Sequence, residues 1–164
     1  MMGVLSAAMD AAVTLLCLSV ALASPLLVSQ AVFPSSLYPE PLQAFRRWYA
    51  AASDDYFLAD KPPGFFRGLA LIELVFLWPI VIATLYALVA RRPWVATTSL
   101  MAGVCTLTST SAILGDILGS GRATPKLLLS YAPFAVLAVI AILRGLCSCS
   151  TKGTAAVARH RHLD

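Results

Sequence analysis

Residues 68–90, GLALIELVFLWPIVIATLYALVA, decide the fold, and Glu73 is the single charged residue among them. A helix crosses the roughly 30 Å hydrocarbon core of a bilayer with about 20 predominantly apolar residues, and this stretch is long enough. A lone strand in lipid would leave its backbone groups without hydrogen-bond partners, so the segment must be helical. The stretch therefore predicts a transmembrane helix.

Three further apolar stretches accompany it, and the whole composition is that of a membrane protein. Of the chain, 59% is hydrophobic and 12% is charged, whereas soluble domains carry roughly a quarter of charged residues. We therefore expect an all-α membrane protein, a four-transmembrane-helix bundle formed by one domain over residues 1–146. The expected helices lie near residues 9–31, 65–90, 94–117 and 124–146.

Both ends of the chain raise questions of processing and order. Ala21-Leu22-Ala23 resembles a signal-peptidase site, but no Lys or Arg precedes the apolar run, which continues to Phe33. Secretory signals begin with a basic segment, so we expect no cleavage after Ala23. Residues 147–164 are polar, and we expect them to form a disordered tail.

The basic residues do not decide the orientation of the bundle. An even number of spans puts both termini on one side of the membrane, and each side then carries six Lys or Arg residues. The positive-inside rule consequently favours neither orientation. The terminal side has Arg91, Arg92, Arg144, Lys152, Arg159 and Arg161, and the other side has Arg46, Arg47, Lys61, Arg67, Arg122 and Lys126.

The first loop and three prolines add detail to the bundle. Leu42, Phe45, Trp48, Tyr49 and Ala52 recur at helical spacing, which predicts either an amphipathic interfacial helix or an ordinary surface helix. Prolines kink helices, and kinked helices can splay around an internal cavity, although membrane helices also tolerate proline without functional consequence. The prolines within spans are Pro25, Pro79 and Pro133.

Polar groups inside the spans are the candidates for a site. Glu73 lies about a turn and a half into the second span, and an ionisable group there indicates function, or else a structural hydrogen bond. Asp116 ends the third span, where it can reach water. Hydroxyls in the same span can line a cavity or hold helices together, namely Thr106, Thr108, Ser109, Thr110 and Ser111.

Several kinds of chemistry are excluded by what the sequence lacks. His160 and His162 lie in the polar tail, and the four cysteines do not have zinc-binding spacing. There is no phosphate loop, nucleophile elbow or dinucleotide fingerprint, and no basic stripe with interleaved aromatics for nucleic acid. We expect no metal, no cofactor and no nucleic-acid partner.

A series of short motifs resembles the sigma-2 receptor (transmembrane protein 97) family of the EXPERA domain superfamily. The motifs occur in the family's order across roughly residues 10–146, and their combination is specific although each alone is weak. They are Gln30-Ala31-Val32-Phe33-Pro34, Leu37-Tyr38-Pro39, Trp48-Tyr49, Asp55, Lys61-Pro62-Pro63 with Phe66, Glu73-Leu74-Val75-Phe76 with Pro79, Tyr86-Ala87, and Tyr131-Ala132-Pro133-Phe134.

The resemblance implies four helices around a cavity that opens towards lipid and binds sterols and cationic amphiphilic amines. It also implies residence in the endoplasmic reticulum membrane, cytoplasmic termini, homodimers and a role in intracellular sterol handling. Asp55 matches the family's loop acid, Glu73 its second-span acid and Tyr131 its fourth-span tyrosine. Other positions near the implied pocket are Trp48, Tyr49, Phe66, Thr106 and Ser109.

Three positions depart from the family pattern. Val28 stands where the family has an intramembrane aspartate, Leu77 where many members have glutamine, and Phe134 where a second tyrosine is common. The aspartate is the expected partner of bound amines, so its replacement predicts weak amine binding and retained sterol binding. The Lys-rich retrieval tail of the family is also absent.

The combined interpretation is an intramembrane sterol or lipid-binding protein of cholesterol homeostasis or transport, and not an enzyme. A sterol double-bond isomerase, like the emopamil-binding relative, is the alternative. Isomerisation needs one group to protonate an alkene and another to remove a proton, and no histidine lies within a span. A second alternative is a stability factor for a membrane-protein partner.

Overall fold

The computed structural model of the chain describes residues 2–59 and 62–161, with side chains described for 4–59 and 62–147. The described residues contain helices and turns and no strand. The helices are α1 Met2–Ala23, α2 Ser29–Val32, α3 Glu40–Ser53, α4 Gly64–Ile72, α5 Trp78–Val89, α6 Val95–Gly119 and α7 Pro125–Arg161. Two π-helical segments, Ser24–Val28 and Glu73–Leu77, join α1 to α2 and α4 to α5.

Four apolar spans result, as the sequence predicts. They are Val4–Val32, Gly64–Val89, Val95–Gly119 and Pro125–Cys147. The predicted four-transmembrane-helix bundle is confirmed, and the main difference is that the first span begins five residues before the expected residue 9. Asp10 lies within that span, and its carboxylate pairs with Arg144 of α7 at 2.6 Å, which reduces the cost of a charge near the membrane.

The fourth span ends at Cys147, close to the expected residue 146, but its helix continues beyond the span. The backbone of α7 continues as helix to Arg161, where we expected a disordered tail beginning at residue 147. The segment lacks proline and has three alanines, and alanine is the strongest helix former. Residues 162–164 of the expected tail lie outside the described residues, and the domain boundary at residue 146 remains a prediction.

Two of the three span prolines coincide with π-helical turns. Pro25 lies inside the segment Ser24–Val28, and Pro79 follows the segment Glu73–Leu77 within the first turn of α5. A proline has no backbone N–H and clashes with the carbonyl four residues earlier, so a locally wider turn relieves the conflict. Pro133 instead sits inside α7 without interrupting it.

Two buried clusters form the core, one towards each end of the bundle. The first centres on Phe57, Ile117 and Leu127 and lies against the first loop. The second centres on Leu16, Val81 and Ala141 of three spans. Many large apolar side chains point outward, which is the pattern of a surface covered by lipid; examples are Val75, Val89, Leu129 and Val136.

Close packing of α6 against α7 depends on two glycines. A Cβ added at Gly103 would lie 2.8 Å from the Ala138 carbonyl oxygen, and one added at Gly145 would lie 2.7 Å from the Cβ of Leu100. Real Cβ atoms do not approach other atoms so closely, so only glycine permits this separation of the helices.

The first loop folds over one end of the bundle and is fixed by polar side chains. Arg46 of α3 donates to the carbonyl oxygens of Leu58 at 2.9 Å and Gln30 at 3.2 Å. Tyr56 donates to Asp116 Oδ2 of α6 at 2.6 Å. These bonds tie the loop to the first and third spans, so the loop closes the end of the bundle.

Candidate ligand pocket

The two π-helical segments face each other and bring Glu73 to Ser24. The Ser24 hydroxyl donates to Glu73 Oε1 at 2.6 Å, and Ser24 is fully buried. The nearby prolines favour these wider turns. The wider turns in turn alter the direction in which Glu73 and Ser24 point. π-Turns occur frequently at functional sites, and this pair forms one polar corner of a pocket between the spans.

Asp55 forms the second polar corner, at the loop end of the same pocket. Its Oδ1 accepts from the backbone N–H of Phe57 at 2.9 Å, which caps a short 3-10 turn. Its Oδ2 accepts from the Tyr131 hydroxyl at 2.8 Å. Burial raises the pKa of the Asp55 carboxyl, although the hydrogen bonds from Tyr131, Phe57 and Leu58 oppose the rise. The loop acid and the fourth-span tyrosine therefore act as one unit.

The space between these corners measures about 120 Å³. Its walls come from all four spans and the first loop, and most of them are apolar. The lining residues are Val20, Ala23, Leu27, Val28, Tyr49, Asp55, Leu58, Phe66, Glu73, Leu77, Thr106, Ser109, Thr110, Ile113, Ser130, Tyr131 and Phe134.

Thr106 lines this pocket, and its buried hydroxyl has no hydrogen-bond partner among the described residues. Thr106 is only 5% exposed, and its Oγ1 makes no hydrogen bond within the described part of the chain. Among the described side chains, Ser99, about two turns earlier in α6, also has a buried hydroxyl without a partner, but it does not line the pocket. Buried hydroxyls are normally paired, so the Thr106 hydroxyl is a candidate hydrogen-bond partner for a ligand in this pocket.

Nine of the ten residues proposed from the sequence line the pocket. Trp48 is the exception, because it is 65% exposed and stacks on Phe45 with ring centroids 5.9 Å apart. Successive helical side chains point about 100° apart, so Tyr49 faces the bundle and its neighbour Trp48 faces away. The expectation that Trp48 lies near the pocket is wrong.

The sequence also left polar pocket residues unidentified. Thr110 lines the pocket, Ser24 donates to the pocket residue Glu73, and both are at least 95% buried. Ser24 could have been found from its position beside Pro25 in an otherwise apolar run. Nothing in the sequence distinguishes Thr110 from the other hydroxyls of α6, because periodicity does not tell which helix face meets the pocket.

The chemistry available in this pocket is hydrogen bonding by carboxyl and hydroxyl groups. Two carboxyls and several hydroxyls stand among apolar side chains, which suits a mostly apolar molecule with one or two polar groups. Among the described side chains, no three His, Cys, Asp or Glu residues gather as a metal site would require. Cys17 and Cys105 are free thiols.

Comparison with known proteins places this arrangement in a family. Residues 41–145 match the family described as EXPERA (EXPanded EBP superfamily). Sigma intracellular receptor 2 of Homo sapiens and that of Macaca fascicularis are each 36% identical over 90 residues, covering 54% of this chain and 51% of the relative. The Xenopus tropicalis protein of the same name is 31% identical over 90 residues.

The resemblance found from the sequence motifs is thereby confirmed. The match spans about half the length of these curated relatives. The family match extends over more than half of the chain and includes all but the first residue of the first-loop helix, with Glu73, Thr106 and Tyr131. The chain is a multi-pass membrane protein that belongs to the EXPERA (EXPanded EBP superfamily) family.

Proposed function

We propose that this protein binds a sterol or a similar lipid in the pocket between its spans and serves intracellular sterol homeostasis or transport. The observation that carries the proposal is the unpaired Thr106 hydroxyl in the wall of a mostly apolar pocket. A sterol combines a rigid apolar body with a single hydroxyl. That hydroxyl can pair with Thr106 or with a carboxyl group, while the ring system contacts apolar walls such as Leu27 and Phe66.

The size of the pocket adds a condition to this proposal. Pockets for drug-sized ligands hold about 300–1,000 Å³, so the space of about 120 Å³ must widen before a sterol enters. The π-helical segments Ser24–Val28 and Glu73–Leu77 line the pocket and meet through one side-chain hydrogen bond. Separation of these segments is the motion that the arrangement favours.

Amine binding is a weaker expectation than sterol binding. Val28 lines the pocket at the position where the resembling family has an aspartate, and Leu77 replaces a glutamine. A cation in this pocket would meet Glu73 without that second acid. A buried charge pair must overcome the desolvation of both partners, so a cationic amine gains less binding free energy in this pocket than a neutral sterol does.

The proposal extends to location and assembly through the family resemblance. We place the protein in the endoplasmic reticulum membrane with cytoplasmic termini, and we expect homodimers. A stability role towards another membrane protein is compatible with the same pocket. An isomerase is disfavoured, because the pocket lining contains no histidine and its two carboxyls are already engaged with Ser24 and Tyr131.

Crosslinking with a photoreactive sterol tests the proposal in purified full-length protein. We expect labelled peptides from the π-helical segments and from α6 near Thr106. Thr106→Val keeps the shape of the side chain and removes the hydroxyl, so it should weaken sterol binding about 5-fold if one neutral hydrogen bond is lost. Ser99→Ala is the matched control, because it removes a buried unpaired hydroxyl outside the pocket.

Two outcomes would contradict the proposal. Labelling confined to the lipid-facing surface, with no effect of Thr106→Val, would show that the pocket is not the sterol site. Restored sterol conversion after expression in a cell lacking its sterol isomerase would favour the enzyme alternative.

A further inference from the structure

A second cleft, separate from the pocket described above, lies at the opposite end of the bundle from the first loop. It measures about 560 Å³ and is formed where the start of α1, the turn between α5 and α6, and the end of the fourth span meet. Its lining residues are Asp10, Ala11, Thr14, Ala87, Leu88, Val89, Arg91, Arg92, Val95 and Arg144.

Positive charge dominates this cleft. Three arginines and one aspartate line it, and Asp10 is engaged with Arg144 at 2.6 Å. Within the described residues, no carboxylate forms an ion pair with Arg91 or Arg92. The cleft therefore keeps an excess of two positive charges after the one negative charge is counted.

The backbone of the turn fixes where these two arginines stand. Arg91 has a φ of 49°, in the left-handed region, and the backbone N–H of Arg92 donates to the Ala87 carbonyl oxygen at 2.9 Å. This is a helix-ending turn in which the cap residue is arginine instead of the usual glycine. The Arg92 guanidinium also donates to the Tyr86 hydroxyl at 3.2 Å, and four of its five N–H donors remain for other acceptors.

Aromatic side chains mark the depth of the cleft in the membrane. Tyr86 and Trp94 stack at the same turn with ring centroids 6.2 Å apart, and the Arg92 guanidinium lies 5.9 Å from the Tyr86 ring centroid. Tyr and Trp concentrate at the level of the lipid headgroups. We therefore expect the cleft to open at the level of the bilayer phosphates, and its lining includes an apolar wall of Ala11, Leu88 and Val89.

We propose that this cleft binds the phosphate group of an anionic phospholipid. Arginine binds phosphate through paired N–H donors, and basic clefts between membrane helices are suited to anionic headgroups. A soluble anion would offer the same phosphate chemistry but would gain nothing from the apolar wall. The lipid is favoured because its glycerol and acyl region continues along that wall into the hydrocarbon.

Titration of the purified full-length protein with fluorescent phosphatidylserine in phosphatidylcholine bicelles tests the proposal. Each arginine near an anionic surface contributes roughly 5-fold in affinity, so Arg91→Gln with Arg92→Gln should weaken binding roughly 25-fold. The matched control, Arg67→Gln with Lys126→Gln, removes two positive charges at the other end of the bundle and should change the affinity less than twofold. If the double variant fails to fold, Arg91→Gln alone, in an exposed turn, should weaken binding roughly 5-fold.

Three results would overturn the assignment. Unchanged affinity of the Arg91 and Arg92 variants for phosphatidylserine would show that the cleft is not the lipid-binding site. An equal loss in the Arg67 and Lys126 control would show attraction to net charge only. Displacement of the lipid by an equal concentration of inorganic phosphate would identify a soluble anion as the ligand. The proposal does not depend on the identity of the molecule in the pocket between the spans.

Discussion

Removal of the Ser24 hydroxyl tests whether the two π-helical segments hold each other. Ser24→Ala removes the fully buried donor of the 2.6 Å bond and leaves a carboxyl oxygen of the half-buried Glu73 without this partner. Hydrogen bonds between membrane helices contribute about 0.6 kcal/mol on average and about 1.7 at most. A short bond to a carboxyl group, with the donor fully buried, belongs near the upper value, so we expect a loss of about 1.5 kcal/mol.

Thermal unfolding in a mild detergent measures this loss. For a chain of this size about 1 kcal/mol corresponds to about 2–4 °C, so Ser24→Ala should lower Tm by about 3–6 °C. Ser19→Ala is the matched control, because the Ser19 hydroxyl bonds to the Leu15 carbonyl oxygen of its own helix at 2.8 Å. That control should shift Tm by less than about 1 °C, since a bond within one exposed turn is readily replaced.

Glu73→Gln removes the ionisable carboxyl group but keeps an acceptor for the hydrogen bond from Ser24, so it tests the two contributions separately. The amide oxygen of glutamine can accept the same hydrogen bond from Ser24, so this variant should keep a Tm close to that of the unmodified protein. The reasoning is refuted if Ser24→Ala and Ser19→Ala have the same Tm, because the bond between the π-helical segments would then contribute nothing to stability.

The remaining predictions concern the loop acid, the α6 interface and the amine ligands. Burial raises the pKa of Asp55 above its ordinary value of 3.8, so the folded state holds the carboxyl proton more tightly than the unfolded state does. The free energy of unfolding should therefore fall as pH rises from about 3.8 to the raised pKa. In a series of Tm measurements against pH, Asp55→Asn should remove this fall, and Asp54→Asn should not. Gly103→Ala should cost about 1–3 kcal/mol in detergent unfolding because its Cβ would meet the Ala138 carbonyl, whereas Gly115→Ala, with nothing within 4 Å, should be neutral or slightly stabilising. Val28→Asp should strengthen binding of a cationic amphiphilic amine in competition assays, and equal amine affinity before and after the change would show that the acid at this position is not the anchor.

Much of the architecture could be predicted from local pattern. Apolar length gives the spans, because each helix in lipid must satisfy its own backbone and be apolar over about 20 residues. The helix of the first loop followed from the spacing of Leu42, Phe45 and Tyr49, and α3 indeed covers Glu40–Ser53. Its position at the membrane interface remains a prediction, since apolar spacing alone does not fix depth.

Parts of the candidate site could be predicted only with the help of the family resemblance. Charge in an apolar span singled out Glu73 on physical grounds. Asp55 and Tyr131 came from the resemblance, and the structure adds that they bond to each other at 2.8 Å. Trp48 was misplaced because one helix cannot turn two adjacent side chains to the same side.

The sequence by itself determined that this is a four-span membrane protein with a carboxyl group inside its second span, because the bilayer thickness fixes the length and the apolar composition of each spanning helix. Only the tertiary structure decided which polar groups meet. Ser24 and Glu73 are 49 residues apart along the chain, and Asp55 and Tyr131 are 76 apart. Their encounter depends on how each helix is rotated about its axis. That rotation is set by the π-turns at prolines and by close packing at Gly103 and Gly145, which no local pattern reveals.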